Sequence, residues 1–255
     1  MLPSSPVPER IALNRVTFGE RDVDIQLVEQ SGWTAWVENQ LNPPVGDDTD
    51  LAKYLSTQTI PIQYPAYSEM GVSWPAVDEN RPLQYINMSG AALWAKMNTP
   101  LMLNNGYEFT RTIIELWAAG YIRNAHSRHQ LREVMTGFWL SHFNVAAAKS
   151  SQCQIGLFVY DRDIVRPNAF GNFRQMLEGI ASSMSMPFYL DNADSIAAHP
   201  NENYARELME LQTMGRGGYF GKPPGGADVS AQGFTDDLGD AMKRVTVAEY
   251  SRKYW

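Results

Sequence analysis

The sequence predicts a mainly α-helical fold: a single multi-helix domain of orthogonal type, with long surface loops and little or no β structure. Three observations predict it. Apolar residues recur at helical spacing in segment after segment. Proline and glycine fall at the ends of those segments. Of the 255 residues, 44% are apolar and 11% aromatic, too rich for a disordered chain. At this mass folding removes about 70–75% of the extended chain's surface, so a core needs no disulfide or metal staple.

The elements follow in order. Pro8 to Phe18 carries Ile11, Val16 and Phe18 and stops at Gly19. Val23, Leu27 and Val28 make a second amphipathic stretch, ended by Ser31-Gly32. Trp33, Trp36, Val37 and Leu41 make a third, closed by Pro43-Pro44. Residues 43–81 bear proline, tyrosine and serine with weak periodicity and read as a surface loop or insertion. Helical patterning resumes at Leu83–Lys96 and Glu108–Ile122. It is strongest where Leu131, Val134, Met135, Phe138, Trp139, His142 and Phe143 form one stripe, the face expected to be buried. Gln154–Tyr160 is the one run that reads as extended, with Gly156 weakening it. Asn168–Ser182 and Pro200–Met214 are two further helices. Residues 216–234 are a Gly/Pro-rich loop, and Leu238, Ala241, Met242 and Val245 mark a last amphipathic segment. The whole chain, 1–255, is expected to form one domain.

Composition excludes several classes of function. A net charge of −7 offers no basic face to track nucleic-acid phosphates. The single cysteine, Cys153, excludes an internal disulfide framework and a Cys-clustered zinc site. No apolar run approaches 18 residues, so no membrane span is expected, and the start shows no basic region leading into an apolar stretch. That leaves the compartment open, cytoplasmic or exported. The basic residues divide into 15 Arg and 6 Lys, with no Lys between Lys149 and Lys222. That gap holds Arg162, Arg166, Arg174, Arg206 and Arg216 among eight Asp and Glu residues. Two readings stand open: codon preference, or a placed Arg–carboxylate network, since arginine pairs bidentately and tolerates burial.

Two polar clusters carry potential chemistry. In Pro200-Asn-Glu-Asn-Tyr-Ala-Arg-Glu-Leu-Met-Glu-Leu, residues Asn203, Arg206, Glu207 and Glu210 share one helical face. Tyr204, Leu208 and Leu211 share an adjacent apolar face. The polar face reads either as a salt-bridged, solvated surface or as poised metal ligands or a general base. In Tyr160-Asp-Arg-Asp-Ile-Val-Arg-Pro, extended backbone would aim Asp161 and Asp163 the same way, as a cation chelate. A helix cap and pairing with Arg162 or Arg166 are the alternatives. His142 ends the apolar stripe and reads as a core histidine or a catalyst. His126 and His129 stand three apart in what looks like an exposed turn. Asn87-Met-Ser fits a glycosylation acceptor, a triplet common by chance.

Five ordered blocks then resemble the bacterial domain of unknown function 1800 family. They are Asn14-Arg-Val-Thr-Phe-Gly with Gly32-Trp-Thr-Ala-Trp-Val-Glu-Asn-Gln-Leu; Glu133-Val-Met-Thr-Gly-Phe-Trp-Leu-Ser-His-Phe-Asn-Val; Tyr160-Asp-Arg-Asp-Ile-Val-Arg-Pro-Asn-Ala-Phe-Gly-Asn-Phe-Arg; Tyr189-Leu-Asp-Asn; and the block opening at Pro200. The resemblance brings no established activity. It implies a protein partner encoded nearby, from a second family that carries export signals. Gln212 stands where relatives have His, and Phe234-Thr-Asp-Asp departs from their Leu-Thr-Gly-Trp. Relatives continue into a further helical region, so the resemblance implies the N-terminal portion of a longer protein, a frameshifted remnant or a natural truncation.

Two functional expectations follow. In the first, Asp161, Asp163, Glu202, Glu207 and Glu210 bind a divalent metal. Arg166 and Arg206 then orient them, and His142, Glu207 and Arg206 do catalytic work in metal-assisted hydrolysis, with Asn203 contributing. In the second, the chain is a scaffold or binding protein whose Arg–Glu network is structural, its seven Trp and twelve Tyr serving core and partner surfaces.

Overall fold

A computed structural model describes residues 8–46, 48–69, 71–196 and 201–214. The fold is mainly α. Helices α1 (Pro8–Val16), α2 (Asp22–Ser31) and α3 (Trp33–Leu41) form where periodicity predicts them. Gly32 links the last two at φ +84°, a conformation glycine adopts without steric cost. Leu13, Val28 and Trp36 make a small core of their own. Buried Gln40 ties it to the rest, donating to the Arg128 carbonyl at 2.8 Å and accepting from the Leu131 N–H at 3.2 Å.

The expected loop or insertion at 43–81 is instead built. Helix α4 (Thr49–Thr57) starts on Asp48, whose carboxylate accepts from the Leu51 N–H at 2.7 Å, and buries Leu51 and Leu55 one turn apart. Strands β1 (Thr59–Tyr64) and β4 (Val77–Pro82) pair antiparallel, from Thr59 opposite Pro82 to Tyr64 opposite Val77. Between them β2 (Tyr67–Glu69) and β3 (Val72–Trp74) make a smaller hairpin closed at Gly71, φ +78°. Ile60, Ile62 and Tyr64 alternate into the core, a period of two that was visible in the sequence. Pro61, Pro65 and Pro75 masked it, yet two-stranded sheets have only edge strands, where proline is tolerated.

Helix α5 (Gly90–Met97) covers only the second half of the predicted Leu83–Lys96 helix; Ser89 caps it. Residues 83–88 are irregular and partly buried, and their backbone needs partners. Glu115 supplies them, accepting from the Tyr85 and Ile86 N–H groups. Helix α6 (Pro100–Asn104) leads into α7 (Gly106–His126), which begins on an Asn105 cap. Along α7 most of the buried residues are polar or charged, Glu108, Arg111, Thr112, Glu115 and Arg123, with Ile113 and Ala119 buried beside them.

Helix α8 (Gln130–His142) reverses the expectation. Its buried residues are Gln130, Arg132, Glu133 and Thr136, whereas Leu131, Val134, Met135 and Trp139 are half-buried and Phe138 is 54% exposed. Partners make this possible. Arg132 donates to the carbonyls of Pro44 at 2.9 Å and Gly46 at 2.6 Å, and Gln130 to those of Asn124 and Ser127.

A 3₁₀ turn (Ala147–Lys149) precedes α9 (Ser151–Val159), which overturns the extended reading of Gln154–Tyr160. The run is apolar because the helix is buried nearly all round, and the Ser150 hydroxyl caps it by accepting from Cys153 N–H at 3.1 Å. Gly156 permits close packing, since a Cβ there would collide with the Ser185 hydroxyl. Through Ile155 and Phe158 on one core and Cys153 on another, α9 joins the two larger clusters. A π-helix (Tyr160–Val165) continues it. Then follow α10 (Phe173–Ala181), capped by Asn172, α11 (Met186–Tyr189) and α12 (Glu202–Glu210), capped by Asn201. Leu211, expected beside Tyr204 and Leu208 on the buried face, is exposed. The predicted 216–234 loop and the segment from Leu238 to Val245 lie outside the described residues. No described helix is long and apolar enough to cross a membrane.

Candidate functional site

Helices α7 and α8 line a cleft of about 450 Å³, completed by α9, the π-helix and Arg166. Trp117, Gly120 and Tyr121 line it from α7, and Glu133, Thr136, Gly137 and Leu140 from α8. Leu157, Tyr160 and Asp161 come from the α9–π segment. Its walls are apolar and its charged lining is Glu133, Asp161 and Arg166, all buried.

The π-helix explains how these charges meet. Its wider turn closes i→i+5 bonds, and the Arg166 N–H donates to the Asp161 carbonyl at 2.9 Å. Residues five apart are not neighbours on an α-helix. Here they are: the Arg166 Nη2 donates to Asp161 Oδ1 at 3.2 Å. Its Nη1 donates to Glu133 Oε2. Glu133 Oε1 accepts no hydrogen bond, with the Arg132 Nη2 standing 3.5 Å away. The Thr136 hydroxyl donates to the Arg132 carbonyl and the Tyr160 hydroxyl to the Phe143 carbonyl, each at 2.7 Å. Burial pushes the Tyr160 phenol pKa far above its ordinary value, so its oxygen stays protonated.

Above this floor the rim is aromatic. Trp117 is 58% exposed and Tyr121 75%, one helical turn apart on α7. Gly120 and Gly137 also line the cleft, and a Cβ at either would meet nothing within 4 Å.

The residues singled out in sequence scatter. Asp161 belongs to the cleft, but Asp163 points away from it, exposed and held by both nitrogens of an Arg162 fork at 2.6 and 2.7 Å. The extended geometry that would have aligned the two is replaced by the π-helix, and Asn172 rather than Asp163 caps the next helix. On α12, Arg206 reaches Asn203 at 2.8 Å and Glu207 at 3.3 Å on an exposed face, with half-buried Glu210 beyond. Glu202 opens that helix, and its side chain lies outside the described residues. His142 is exposed, packs against Trp139 and Phe143, and its Nε2 lies 3.1 Å from the Gln212 carbonyl oxygen. Neither His142, Arg206 nor Glu207 lines the cleft.

A divalent metal therefore finds a poor donor set. Among the described residues no three His, Cys, Asp or Glu side chains converge as ligands. The cleft carboxylates already face a guanidinium, which competes with a metal for the same oxygens. Of the arginines between Lys149 and Lys222, Arg166 joins a buried network, whereas Arg174 pairs on the surface with Glu178.

Sequence reasoning missed Glu133, Trp117 and Tyr121. Glu133 was in view as the first residue of a family-like block, and Arg132, Glu133 and Thr136 share a helical face between apolar neighbours. A Lys-free polar face bounded by apolar residues on both sides was the available signal of a buried charge cluster.

No curated protein and no solved structure matches the chain. Residues 11–230, most of the chain, match the family model described as protein of unknown function (DUF1800), and the chain belongs to that family.

Proposed function

We propose that this chain is a binding protein that receives a small organic ligand in the cleft between α7 and α8. The Arg–carboxylate network would serve as the preorganised floor of that cleft. The observation that carries the reading is the juxtaposition of an exposed aromatic rim, Trp117 and Tyr121, with a buried charged floor, Glu133, Asp161 and Arg166. Small-molecule sites combine apolar walls with a few fixed polar groups. Water-exposed Trp surface rimmed by polar groups is the usual mark of a binding site. A floor whose charges are already paired holds its shape before a ligand arrives, which lowers the ordering cost of binding.

Ligand-observed NMR with a fragment library, run on the wild type and on Gly137→Leu, tests this. Leucine at 137 grows into open cleft. Fragments that bind the wild type and lose their signal in the variant are the expected result. No hits on the wild type, or hits that persist in the variant, would overturn the reading. So would one equivalent of zinc, magnesium or calcium in gently purified protein, which would favour the metal-assisted alternative.

A further inference from the structure

We infer that this chain associates with a second copy of itself, antiparallel, along the exposed face of α7. The inference goes beyond the cleft reading and needs no ligand, since Tyr107, Thr110 and Ile114 lie outside the cleft lining. Helix α7 packs on α4, α6, α8, α9 and β1, and its charges are turned inward. All four of its formally charged residues, Glu108, Arg111, Glu115 and Arg123, are buried. From Tyr107 to Tyr121 the exposed residues are Tyr107, Thr110, Ile114, Trp117 and Tyr121, none of them charged. This inverts the usual surface helix, which shows its charged face to water.

The spacing says what covers such a face. The five residues recur at alternating steps of three and four, the period of a seam that packs against a second helix. From Tyr107 to Tyr121 the seam runs about 21 Å along the axis. Its own shape is complementary to a second copy. With a two-fold axis at Ile114, the middle of the stripe, Tyr107 of one copy comes level with Tyr121 of the other. Thr110, the smallest member of the stripe, comes within one residue's rise of Trp117, the largest. A parallel pair would instead set Trp117 on Trp117 and Tyr121 on Tyr121, ring against ring.

The area agrees. Tyr107 is 48% exposed, Trp117 58% and Tyr121 75%. At about 200 Å² for a whole aromatic side chain, these three rings alone offer about 360 Å². That is close to half of the roughly 800 Å² that each partner gives to a standard interface, before Ile114 and the flanking residues are added. Tyr107 is already held in place, stacked on Tyr64 at 5.0 Å and edge-on to Tyr67 at 5.4 Å, which lowers the ordering cost of association. The contact buries no charge. The net −7 of each copy therefore opposes association only at long range, where salt screens it.

Sedimentation velocity on the full chain over a range of concentrations, at low and high salt, tests this. A reversible monomer–dimer equilibrium that strengthens with salt is expected. Ile114→Glu sets two like charges opposite each other on the axis and should weaken the dimer about tenfold or more. Tyr121→Glu takes its place if melting curves show that the first variant does not fold. Register is read from introduced cysteines, Cys153 being buried. Under mild oxidation, Tyr107→Cys combined with Tyr121→Cys should cross-link two copies. Tyr121→Cys alone should not, because its counterpart lies about 21 Å away along the axis. A monomer at every concentration overturns the proposal, whatever else covers the face. So does a dimer that survives both charge variants. Cross-linking by Tyr121→Cys alone overturns the antiparallel register. A monomer that still binds fragments in a Gly137-dependent way overturns the dimer and leaves the cleft reading standing.

Discussion

Replacing Arg166 by leucine should be among the most damaging single changes in this protein. The guanidinium holds Glu133 and Asp161, and both carboxylates are buried where water cannot replace it. Removing one partner of a buried ion pair costs about 3–5 kcal/mol, most of it the penalty of the charge left behind. For a chain of this size each kcal/mol moves the melting point by about 2–4 °C, so the midpoint should fall by roughly 6–20 °C. Urea unfolding followed by far-UV circular dichroism gives the free energy directly. A double-mutant cycle then separates the orphaned charge from lost packing. Glu133→Leu combined with Arg166→Leu should be less damaging than the sum of the two single changes, with a coupling above about 1 kcal/mol. Arg166→Lys should rescue only part, because an ammonium cannot fork to two carboxylates on different elements. A loss below 1 kcal/mol for Arg166→Leu, or additive single changes, would refute the idea that this network is a placed structural floor.

Glycine supplies two opposite predictions. Gly120→Ala and Gly137→Ala put a methyl into open cleft on helical backbone, so each should stabilise by about 0.5–1 kcal/mol in urea; a loss at either would contradict the open geometry. Gly156→Ala drives a methyl into Ser185 and should cost about 1–3 kcal/mol, and a neutral result would mean that α9 and the segment at Ser185 are not in close contact. His129 predicts a pH dependence. Burial, then the nearby Arg132, holds its imidazole below the ordinary value of 6.5, with Asp48 and Glu133 opposing more weakly. Below about pH 6.5 the unfolded chain therefore takes up a proton that the folded one refuses, so stability falls as the pH drops through that range and is unaffected above it. Between pH 7.5 and 5.5 the wild type should lose more stability than His129→Gln; equal losses would remove His129 as the cause.

Much of the local structure was legible because its causes are local. Helices α1 to α3 carry their own periodicity and stop signals, and Pro43-Pro44 closes the third. The 43–81 stretch was misread although its signals were equally local: Asp48 three residues before Leu51, and the alternation of Ile60, Ile62 and Tyr64. Its prolines argue against strands by local rules, and pairing with β4 across a dozen residues decides the matter. The apolar run at Gln154–Tyr160 was ambiguous in principle. A helix buried all round and a buried strand look alike over seven residues, and the Ser150 cap and contacts on both cores settle it as helix.

The candidate site divides along the same line. Sequence alone determined the mainly α class and the family, and left the Arg-rich third quarter open between codon preference and a placed network, because composition and short-range spacing are properties of the chain itself. Tertiary structure decided which charges are buried. Hydropathy assigns Glu133 and Arg132 to solvent and Phe138 to the core, yet α8 turns the other way. Its polar face meets Arg166 and two loop carbonyls from segments more than 30 residues away, and a buried charge is tolerated only where such partners exist. Asp161 and Arg166 become partners for a reason equally invisible to spacing rules. A π-helix brings i and i+5 together, and only the packing around it selects that winding over the α-helix.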